Sequence, residues 1–337
     1  MKPALWTVGF AVMASAAPES KTRLIIDTDM LNFDDDPMAI GLANIFQNWG
    51  EVELIGVMAS VNSRFTPPGA DAINTYFGHP NIPLAVLKPV NNLTQWPDHP
   101  EYGDYLTGLT YNFTEDVRDG ADTPDPVSSY RYLLSTSADN SITIAVIGFF
   151  DNMYDLLNSG PDQISPHTGA ELLSTKVREL VVQANDVGMS YNTMMSNTTF
   201  AQTVLNWWPG KLTFASDAVG ENTVFGQRIT TELDVATNPL GYSLRANIGY
   251  NQSHYMWDVA AVYYAVCGLD DVLGWKYPDG GRVSLNGSAY ATWTDGTGLQ
   301  NSVEFRVPNT TFAARLEDTL LWEPGNRVPR DRTWCKC

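Results

Sequence analysis

The stretch RLIIDTDMLNFDDDPMAIGLANIFQN, residues 23–48, indicates the fold of this chain. Its first residues, Arg23 to Asp27, are predicted to form a buried strand that ends in polar side chains. An apolar helix is predicted from Pro37 to Asn48, with Asp36 as its N-cap and Pro37 in the first turn, where a missing N–H is tolerated. A strand followed directly by a helix is the repeating unit of α/β proteins.

The same alternation continues along the chain. Further strands are predicted at residues 52–60, 141–147, 177–184 and 212–215, and further helices at residues 71–78 and 151–157. This order predicts a single α/β domain at residues 17–337 with a doubly wound, mostly parallel sheet covered by helices on both faces. After Trp275 the pattern changes. Residues 282–285 and 303–307 predict a small C-terminal β-hairpin extension, followed by a final helix at residues 311–321.

Several features predict that the chain is secreted. Lys2 precedes a short apolar stretch at residues 4–14, and Ala14-Ser15-Ala16 is a small-residue cleavage site, so a signal peptide is predicted at residues 1–16. No later window reaches about 18 uninterrupted apolar residues, so no membrane anchor is expected. Six Asn-x-Ser/Thr glycosylation sequons agree with a eukaryotic secretory route. They begin at Asn92, Asn112, Asn197, Asn251, Asn286 and Asn309.

Charge and cysteine content narrow the partners and the compartment. The chain has 38 acidic and 20 basic residues, a net charge of −18. This balance argues against nucleic-acid and anionic-membrane partners, because phosphate binding depends on clustered Lys and Arg. Cys335 and Cys337 are too close in sequence for a comfortable mutual disulfide, so we expect Cys267 to pair with one of them in an oxidising compartment.

Five carboxylates lie within ten residues of the opening stretch, at Asp27, Asp29, Asp34, Asp35 and Asp36. An acidic cluster is usually a solvated turn. Here, however, Asp27 and Asp29 follow a buried strand and Asp36 opens an apolar helix, so two rigid elements direct carboxylates into one space. Like charges this close raise each other's pKa values unless a cation neutralises them. Calcium accepts six to eight oxygen ligands, so the cluster predicts a calcium site.

The sequence resembles the inosine/uridine-preferring nucleoside hydrolases, especially a divergent, secreted, fungal-like branch. The segment DTDMLNFDDDPMA, residues 27–39, is similar to a longer variant of the family motif DTDPGxDD. Residues 55–62, 144–152 and 253–262 also match, and the resemblance covers about residues 23–322. It implies a calcium-dependent enzyme that cleaves the N-glycosidic bond of ribonucleosides, with a small-molecule partner and a homodimeric or homotetrameric assembly.

The resemblance implies a role for each matching residue. The implied calcium ligands are Asp29, Asp36, the backbone carbonyl of Ile147, and Asp258. The implied substrate contacts are Asp35, Asn62, Ser190 and Asn192. Asp29 would also be the general base for a metal-bound water, and Ser190 stands where the family often has a Glu for the ribose 5′-hydroxyl. Asp27 is expected to be a metal ligand or a support, and Asp34 a solvated or helix-capping carboxylate.

Two departures from the family pattern concern the leaving base and the backbone. Trp257 precedes Asp258 at a position where many members have an acidic His. An indole cannot donate a ring proton as His does, but it can stack on a purine, so we expect Trp257 to assist catalysis and a purine to be preferred; core packing is the alternative. The loop at residues 96–111 could also assist, although a loop residue such as His99 is more often solvated. A glycine usual at Leu31 is missing, so the backbone there must bend differently.

Two other functions remain open at this point. A calcium-stabilised sugar- or nucleoside-binding protein could retain the fold without turnover. A magnesium-dependent phosphatase of the haloacid-dehalogenase type also begins with a strand and Asp-x-Asp, and would use Lys176 or Lys211 to neutralise phosphate. That function leaves Asp258 and residues 34–36 without roles.

Overall fold

The computed structural model of the chain describes residues 21–329. The predicted signal peptide, Cys335 and Cys337 lie outside this range. Cys267 is disulfide-bonded, as expected. Across residues 21–329, no helix combines the length and the apolar character needed to cross a membrane.

Residues 21–329 form a ten-stranded mixed sheet, a separate two-stranded sheet and thirteen α-helices. The strands are β1 (Thr22–Thr28), β2 (Val52–Ala59), β3 (Leu84–Val86), β4 (Ile142–Val146), β5 (Val177–Gln183), β6 (Lys211–Ala215), β7 (Val224–Phe225), β8 (His254–Tyr255), β9 (Leu273–Trp275), β10 (Gly281–Leu285), β11 (Ala291–Asp295) and β12 (Gln300–Phe305). The helices are α1 (Asp35–Trp49), α2 (Thr66–Tyr76), α3 (Leu106–Asn112), α4 (Pro126–Ser135), α5 (Asp151–Asn158), α6 (Gly169–Lys176), α7 (Tyr191–Met195), α8 (Thr198–Trp207), α9 (Asp217–Gly220), α10 (Gln227–Glu232), α11 (Pro239–Ile248), α12 (Trp257–Cys267) and α13 (Asn309–Leu320).

The large sheet has a switch in strand order beside β1. Its strands run in the order β11-β10-β12-β6-β5-β4-β1-β2-β3, with β9 paired to β12. All pairs from β12–β6 through β2–β3 are parallel. The chain leaves β1 to form β2 and β3 on one side, and later returns to β4, β5 and β6 on the other. In open α/β sheets, ligands bind at the carboxyl ends of the strands at such a point.

Apolar side chains cover both faces of β1. Leu24 and Ile26 belong to the core under α1 and α12, whereas Ile25 belongs to the core on the opposite face, with residues of α4, α5 and α8. Burial on both faces explains why the strand is a continuous apolar run rather than an alternating one. The predicted fold class, a doubly wound and mostly parallel α/β sheet, is confirmed.

Two local predictions are corrected. Helix α1 begins at Asp35 rather than Pro37, so Asp34 and not Asp36 takes the N-cap position, without a side-chain cap bond. The C-terminal hairpin is formed by β10 and β11, not by residues 282–285 and 303–307. Residues 303–305 belong instead to β12, whose first residues continue the main sheet in parallel with β6. The extension is therefore an edge of the large sheet.

Candidate active site

Asp27 lies next to the carboxyl end of β1, beneath the cavity that opens beyond the strand. It is fully buried, and it accepts hydrogen bonds from the Tyr130 hydroxyl (2.7 Å) and from Asn152 Nδ2 (3.1 Å). Burial raises the pKa of Asp27 to about 7, and the two donors only partly oppose this shift. Asp27 does not line the cavity beyond the strand. Of its two predicted roles, the geometry therefore favours that of a support.

The loops after β1 and β4 meet closely above Asp27. The backbone carbonyl of Asp27 accepts the N–H groups of Ile147 (2.8 Å) and Gly148 (3.0 Å). A Cβ atom at Gly148 would lie 2.4 Å from the amide nitrogen of Asp29. Only glycine fits this approach, and it allows Asp29 and the Ile147 carbonyl to lie beside each other at the switch in strand order.

A cavity of about 270 Å³ opens at this edge of the sheet. Its acidic lining residues are Asp29, Asp35, Asp36, Asp217, Glu221 and Asp258. Its aromatic and histidine lining residues are Phe33, His99, Tyr102, Tyr191 and Trp257. The remaining lining residues are Ile147, Gln183 and Asn192. None of these fourteen residues, which all lie in the described part of the chain, is Lys or Arg, so the cavity suits a neutral or cationic ligand. Its aromatic side chains suit a ligand with a flat ring.

Three carboxylates form the closest acidic group in the cavity. Asp35, Asp36 and Asp258 each place an oxygen within 4.8 Å of the others, and all three are buried. Asp35 and Asp36 begin α1 and Asp258 lies in the first turn of α12, where helix dipoles favour negative charge. The Asp258 N–H donates to Asp35 (3.3 Å) and the Thr28 hydroxyl donates to Asp36. Asp29 lines the same cavity outside this closest group.

Burial and mutual repulsion raise the pKa of every carboxyl group in this cluster. Burial is the largest cause throughout. For Asp35, burial and the charge of Asp34 raise the pKa to about 7. For Asp29, Asp36 and Asp258, burial followed by the charges of neighbouring aspartates raises the pKa well above its usual value. A cation among these oxygens would remove most of the repulsion and allow all of them to ionise.

The donor set fits a hard divalent cation. The cluster offers carboxylate oxygens, and Ile147, which lines the cavity, has a backbone carbonyl that could add a further oxygen. That carbonyl already accepts a hydrogen bond from Asn192 Nδ2 (2.9 Å) but retains a second lone pair. Oxygen-only sites with several carboxylates suit calcium or magnesium rather than zinc or copper.

Two of the predicted substrate contacts lie away from the aspartates. Asn62 lines a neighbouring depression of about 320 Å³ with Trp96 and Phe149, and its amide donates to the Pro89 carbonyl (3.1 Å). Ser190 is buried at the start of α7, where its hydroxyl lies 3.1 Å from the Thr193 hydroxyl. Neither residue lines the cavity. Their roles in binding substrate therefore stay predictions that the geometry does not support.

The structure corrects the expectation for Asp34. This residue is neither solvated nor a side-chain helix cap: it is fully buried, and its Oδ1 lies 2.8 Å from Nδ1 of His254. Nε2 of His254 lies 3.2 Å from the Tyr102 hydroxyl. No local pattern in the sequence indicated this contact, because 220 residues separate its two members.

Two further lining residues are His99, for which a solvated position was favoured, and Asp217, which the sequence analysis missed. His99 does reach the cavity, with its ring centroid 5.0 Å from that of Phe33. Asp217 accepts hydrogen bonds from Gln183 Nε2 (3.0 Å) and Asn185 Nδ2 (2.8 Å). A signal for Asp217 did exist, because it follows the predicted strand at residues 212–215 just as Asp27 and Asp29 follow the first strand.

Trp257 stands in the cavity wall, half-buried, rather than in the core. It is the first residue of α12, and a Cβ atom at Gly220 would lie 2.3 Å from its Cδ1. Its ring centroid is 5.3 Å from that of Tyr255. The backbone of Gly220 therefore packs closely against one edge of the indole, and Trp257 also lines the cavity.

No protein-family model matches the sequence, and no curated protein matches it either. Solved structures do match. A plant nucleoside hydrolase has 16% identity and a TM-score of 0.64, covering 89% of this chain and 99% of that chain. An inosine-uridine preferring nucleoside hydrolase from Bacillus anthracis has 14% identity and a TM-score of 0.63, with the same coverage. A purine-preferring ribonucleoside hydrolase from Gardnerella vaginalis has 14% identity and a TM-score of 0.63, covering 89% of this chain and 99% of that chain. The chain therefore has the nucleoside hydrolase fold.

Proposed function

We propose that this protein is a calcium-dependent hydrolase that cleaves the N-glycosidic bond of ribonucleosides. The observation that carries the proposal is the group of buried carboxylates at the switch in strand order, beside an aromatic-lined cavity, in a chain with the nucleoside hydrolase fold. A cavity of about 270 Å³ is close to the smaller sites that bind small molecules, about 300 Å³ and upwards, and it suits one nucleoside rather than a polymer.

The metal would be held by Asp29, Asp36, Asp258 and the Ile147 carbonyl. Asp35 belongs to the same closest group of carboxylates and is a further candidate ligand. When bound, calcium would lower the pKa of a water molecule and orient it towards the sugar. The carboxylate of Asp29 would then accept the proton of the attacking water.

Several lining residues would contact the sugar, and others would contact the base. Asp35 and Asn192 are the predicted sugar contacts that do line the cavity. The transition state resembles an oxocarbenium ion, and the surrounding carboxylates stabilise its positive charge. Phe33, Tyr191 and Trp257 offer rings on which a base can stack, and the large indole supports a preference for purines.

The structure gives no support to the phosphatase alternative, whereas it does not distinguish a nucleoside-binding protein from the enzyme. For the phosphatase, Lys176 pairs with Asp139 and Lys211 with Glu179, and neither lysine lines the cavity. Within residues 21–329, no Lys or Arg therefore lines the aspartate cavity to bind a phosphate. A nucleoside-binding protein without turnover has the same cavity as the enzyme, so only an activity measurement separates the two.

We also propose that the protein is exported and glycosylated, and that it is a homodimer or homotetramer. The sequon asparagines support export, because those at positions 92, 112, 197, 251 and 286 are exposed. Light scattering during size-exclusion chromatography measures the assembly, and a monomer would contradict this part of the proposal.

A panel of purine and pyrimidine ribonucleosides tests the function. Free base is measured by chromatography with calcium present, and nucleoside binding is measured separately by titration calorimetry. We expect base release, fastest from purine nucleosides. Binding without base release would support the binding protein, and release of phosphate from phosphate esters with magnesium would support the phosphatase.

A further inference from the structure

Two acidic residues line the cavity without belonging to its closest group of carboxylates. Asp217 is the first residue of α9, and Glu221 directly follows the last residue of that helix. The Glu221 N–H donates to the Asp217 carbonyl (2.7 Å), and residues four apart on a helical turn are neighbours on its surface. Asp217 and Glu221 therefore form an acidic wall that is separate from the proposed metal ligands.

The carboxylate of Asp217 is fixed by two amide donors. Its Oδ1 accepts from Gln183 Nε2 (3.0 Å), and its Oδ2 accepts from Asn185 Nδ2 (2.8 Å). Burial, and to a smaller extent the charge of Glu221, raises the pKa of Asp217, while these two hydrogen bonds oppose the shift because they favour the ionised form. Glu221 is exposed where it lines the cavity. The wall thus combines one fixed and one solvated carboxylate.

The negative charge of this wall has no Lys or Arg beside it. Within residues 21–329, neither residue type lines the cavity. The histidine of the lining, His99, places Nδ1 3.1 Å from Glu101. A divalent ion among the clustered aspartates would offset two negative charges there, and it would leave those of Asp217 and Glu221. The cavity therefore keeps a surplus of negative charge for a ligand to meet.

The indole of Trp257 stands next to the acidic wall. Helix α9 packs against α12, and a Cβ atom at Gly220, the residue before Glu221, would lie 2.3 Å from Cδ1 of Trp257. The face of an indole attracts cations more strongly than that of a phenol or a phenyl ring, and carboxylates attract them by charge. An indole and two carboxylates on one side of a cavity therefore suit a flat ring that carries a positive charge.

The chemistry of the leaving base gives this charge a use. A neutral base must gain a proton before it leaves as a neutral molecule, and an indole has no acidic proton to give. A base that already carries a positive charge on its ring becomes neutral when the N-glycosidic bond breaks. Trp257, the first residue of α12, therefore suits a substrate that needs no proton donor.

We infer that Asp217 and Glu221, together with the indole of Trp257, make the cavity select ribosides whose base carries a positive charge, such as an N-ribosylpyridinium. The inference rests on the proposed function and names a preferred class of substrate for the same site. The charge of the base, rather than the size of its ring system, is the feature that these side chains recognise.

The step balances in atoms and charge. The bond between the anomeric carbon and the ring nitrogen breaks, and its electron pair returns to the nitrogen, which becomes neutral. The oxygen of water forms the new bond to the anomeric carbon. One proton of that water goes to Asp29 and then to solvent. Because the positive charge stays inside the cavity until that proton leaves, the wall stabilises the bound substrate and the transition state alike.

Two base fragments of the same shape test the charge preference without turnover. 1-Methyl-3-carbamoylpyridinium is a cation, and 3-methylbenzamide is its uncharged counterpart. Their affinities for the calcium-loaded protein are measured by titration calorimetry. We expect the cation to bind about tenfold more tightly, within the range of a cation held by an indole and a carboxylate. Equal affinities, or tighter binding of the benzamide, would overturn the inference.

A variant that removes one charge tests the role of the wall in turnover. Glu221→Gln is assayed with 1-(β-D-ribofuranosyl)-3-carbamoylpyridinium and with inosine. We expect the loss in kcat/KM to be about tenfold larger for the pyridinium riboside, because only that substrate brings a charge to the wall. Asp217→Asn should shift the ratio of the two values in the same direction. Glu304→Gln makes the same change in net charge at an exposed residue that does not line the cavity, and it should leave the ratio unchanged.

The outcomes separate this inference from the proposed function. An equal loss on both ribosides in Glu221→Gln, or no loss on either, would overturn the inference alone. A wild-type protein that hydrolyses neither riboside would contradict the proposed function, and the fragment affinities would then decide whether the cavity selects a cation. Should neither fragment bind measurably, the ratio of the two ribosides in Glu221→Gln decides. Should Asp217→Asn fail to fold, the exposed position of Glu221 still provides that ratio.

Discussion

Without calcium, the free energy of unfolding of this protein should fall as the pH rises from 5.0 to 6.5. Burial and the charge of Asp34 raise the pKa of Asp35 to about 7, against 3.8 for an unperturbed Asp, and burial raises that of Asp27 to about 7 as well. Between those values the folded chain holds a proton on each group that the unfolded chain has released. A state that binds more protons is favoured at low pH, so folding weakens as the pH rises.

The size of the effect follows from the same pKa values. Each group contributes about 1.36 kcal/mol per pH unit within this window, or about 2 kcal/mol between pH 5.0 and 6.5. Bound calcium would let the cluster ionise, and a ligand at about 100 times its Kd adds about 2.7 kcal/mol of stability. The calcium-bound protein should therefore show a smaller pH slope and a higher Tm.

Thermal unfolding followed by circular dichroism, with EGTA or with calcium, measures both effects. The variant Asp35→Asn removes one of the raised ionisations and should flatten the slope in EGTA. The control Asp162→Asn should leave the slope unchanged, because the hydrogen bond from Arg131 is the main cause that lowers the pKa of Asp162 to about 2, outside the window. A Tm that rises from pH 5.0 to 6.5 in EGTA would refute this reasoning. So would a Tm that is the same with calcium as with EGTA.

Three further predictions concern the ligand and export. Gly220→Ala should push the indole of Trp257 aside, raise KM for purine nucleosides and destabilise the fold by about 1–3 kcal/mol, as overpacking does; Gly160→Ala, which meets no atom within 4 Å, is the matched control for both kinetics and unfolding. Inosine 5′-monophosphate should be a much poorer substrate than inosine, because no Lys or Arg in the described part of the chain lines the cavity; equal kcat/KM values would count against that account of the lining. Expression in a eukaryotic secretory host followed by glycosidase treatment should lower the mass of the protein, with Asn309 left unmodified because it is half-buried and donates to the Asn222 carbonyl; an unchanged mass would contradict the export proposal.

The sequence contained most of the information about the fold and the cluster of carboxylates. The apolar run before Asp27 predicted β1, and the acidic residues on either side of the turn to α1 predicted that carboxylates would meet. Both predictions depend on local pattern: one short strand, one turn and one helix. Asp258 lies far along the chain, and it joined the predicted cluster only through the resemblance of residues 253–262 to the family.

On the Tyr102 side of the cavity, the sequence analysis predicted only that the loop at residues 96–111 could take part. Tyr102 belongs to a loop without periodicity, and its position depends on contacts to Asn247 and Gln95 that no local pattern encodes. Asp34 was expected to be solvated or to cap the helix, because most charged residues lie at the surface; the structure instead buries it beside His254. Asn62 and Ser190 show the opposite difference: their positions match the family in sequence, but neither lines the cavity, so their roles stay predictions.

Calcium-dependent base release from inosine, compared between the wild type and Asp29→Ala, tests the central claim most directly. Free hypoxanthine is followed by absorbance, with calcium in one series and EGTA in the other. The wild type should release base only with calcium, and Asp29→Ala should lose about 100-fold or more of the rate in calcium, as expected for a lost general base. Base release that continues in EGTA, or that survives Asp29→Ala at the wild-type rate, would contradict the account.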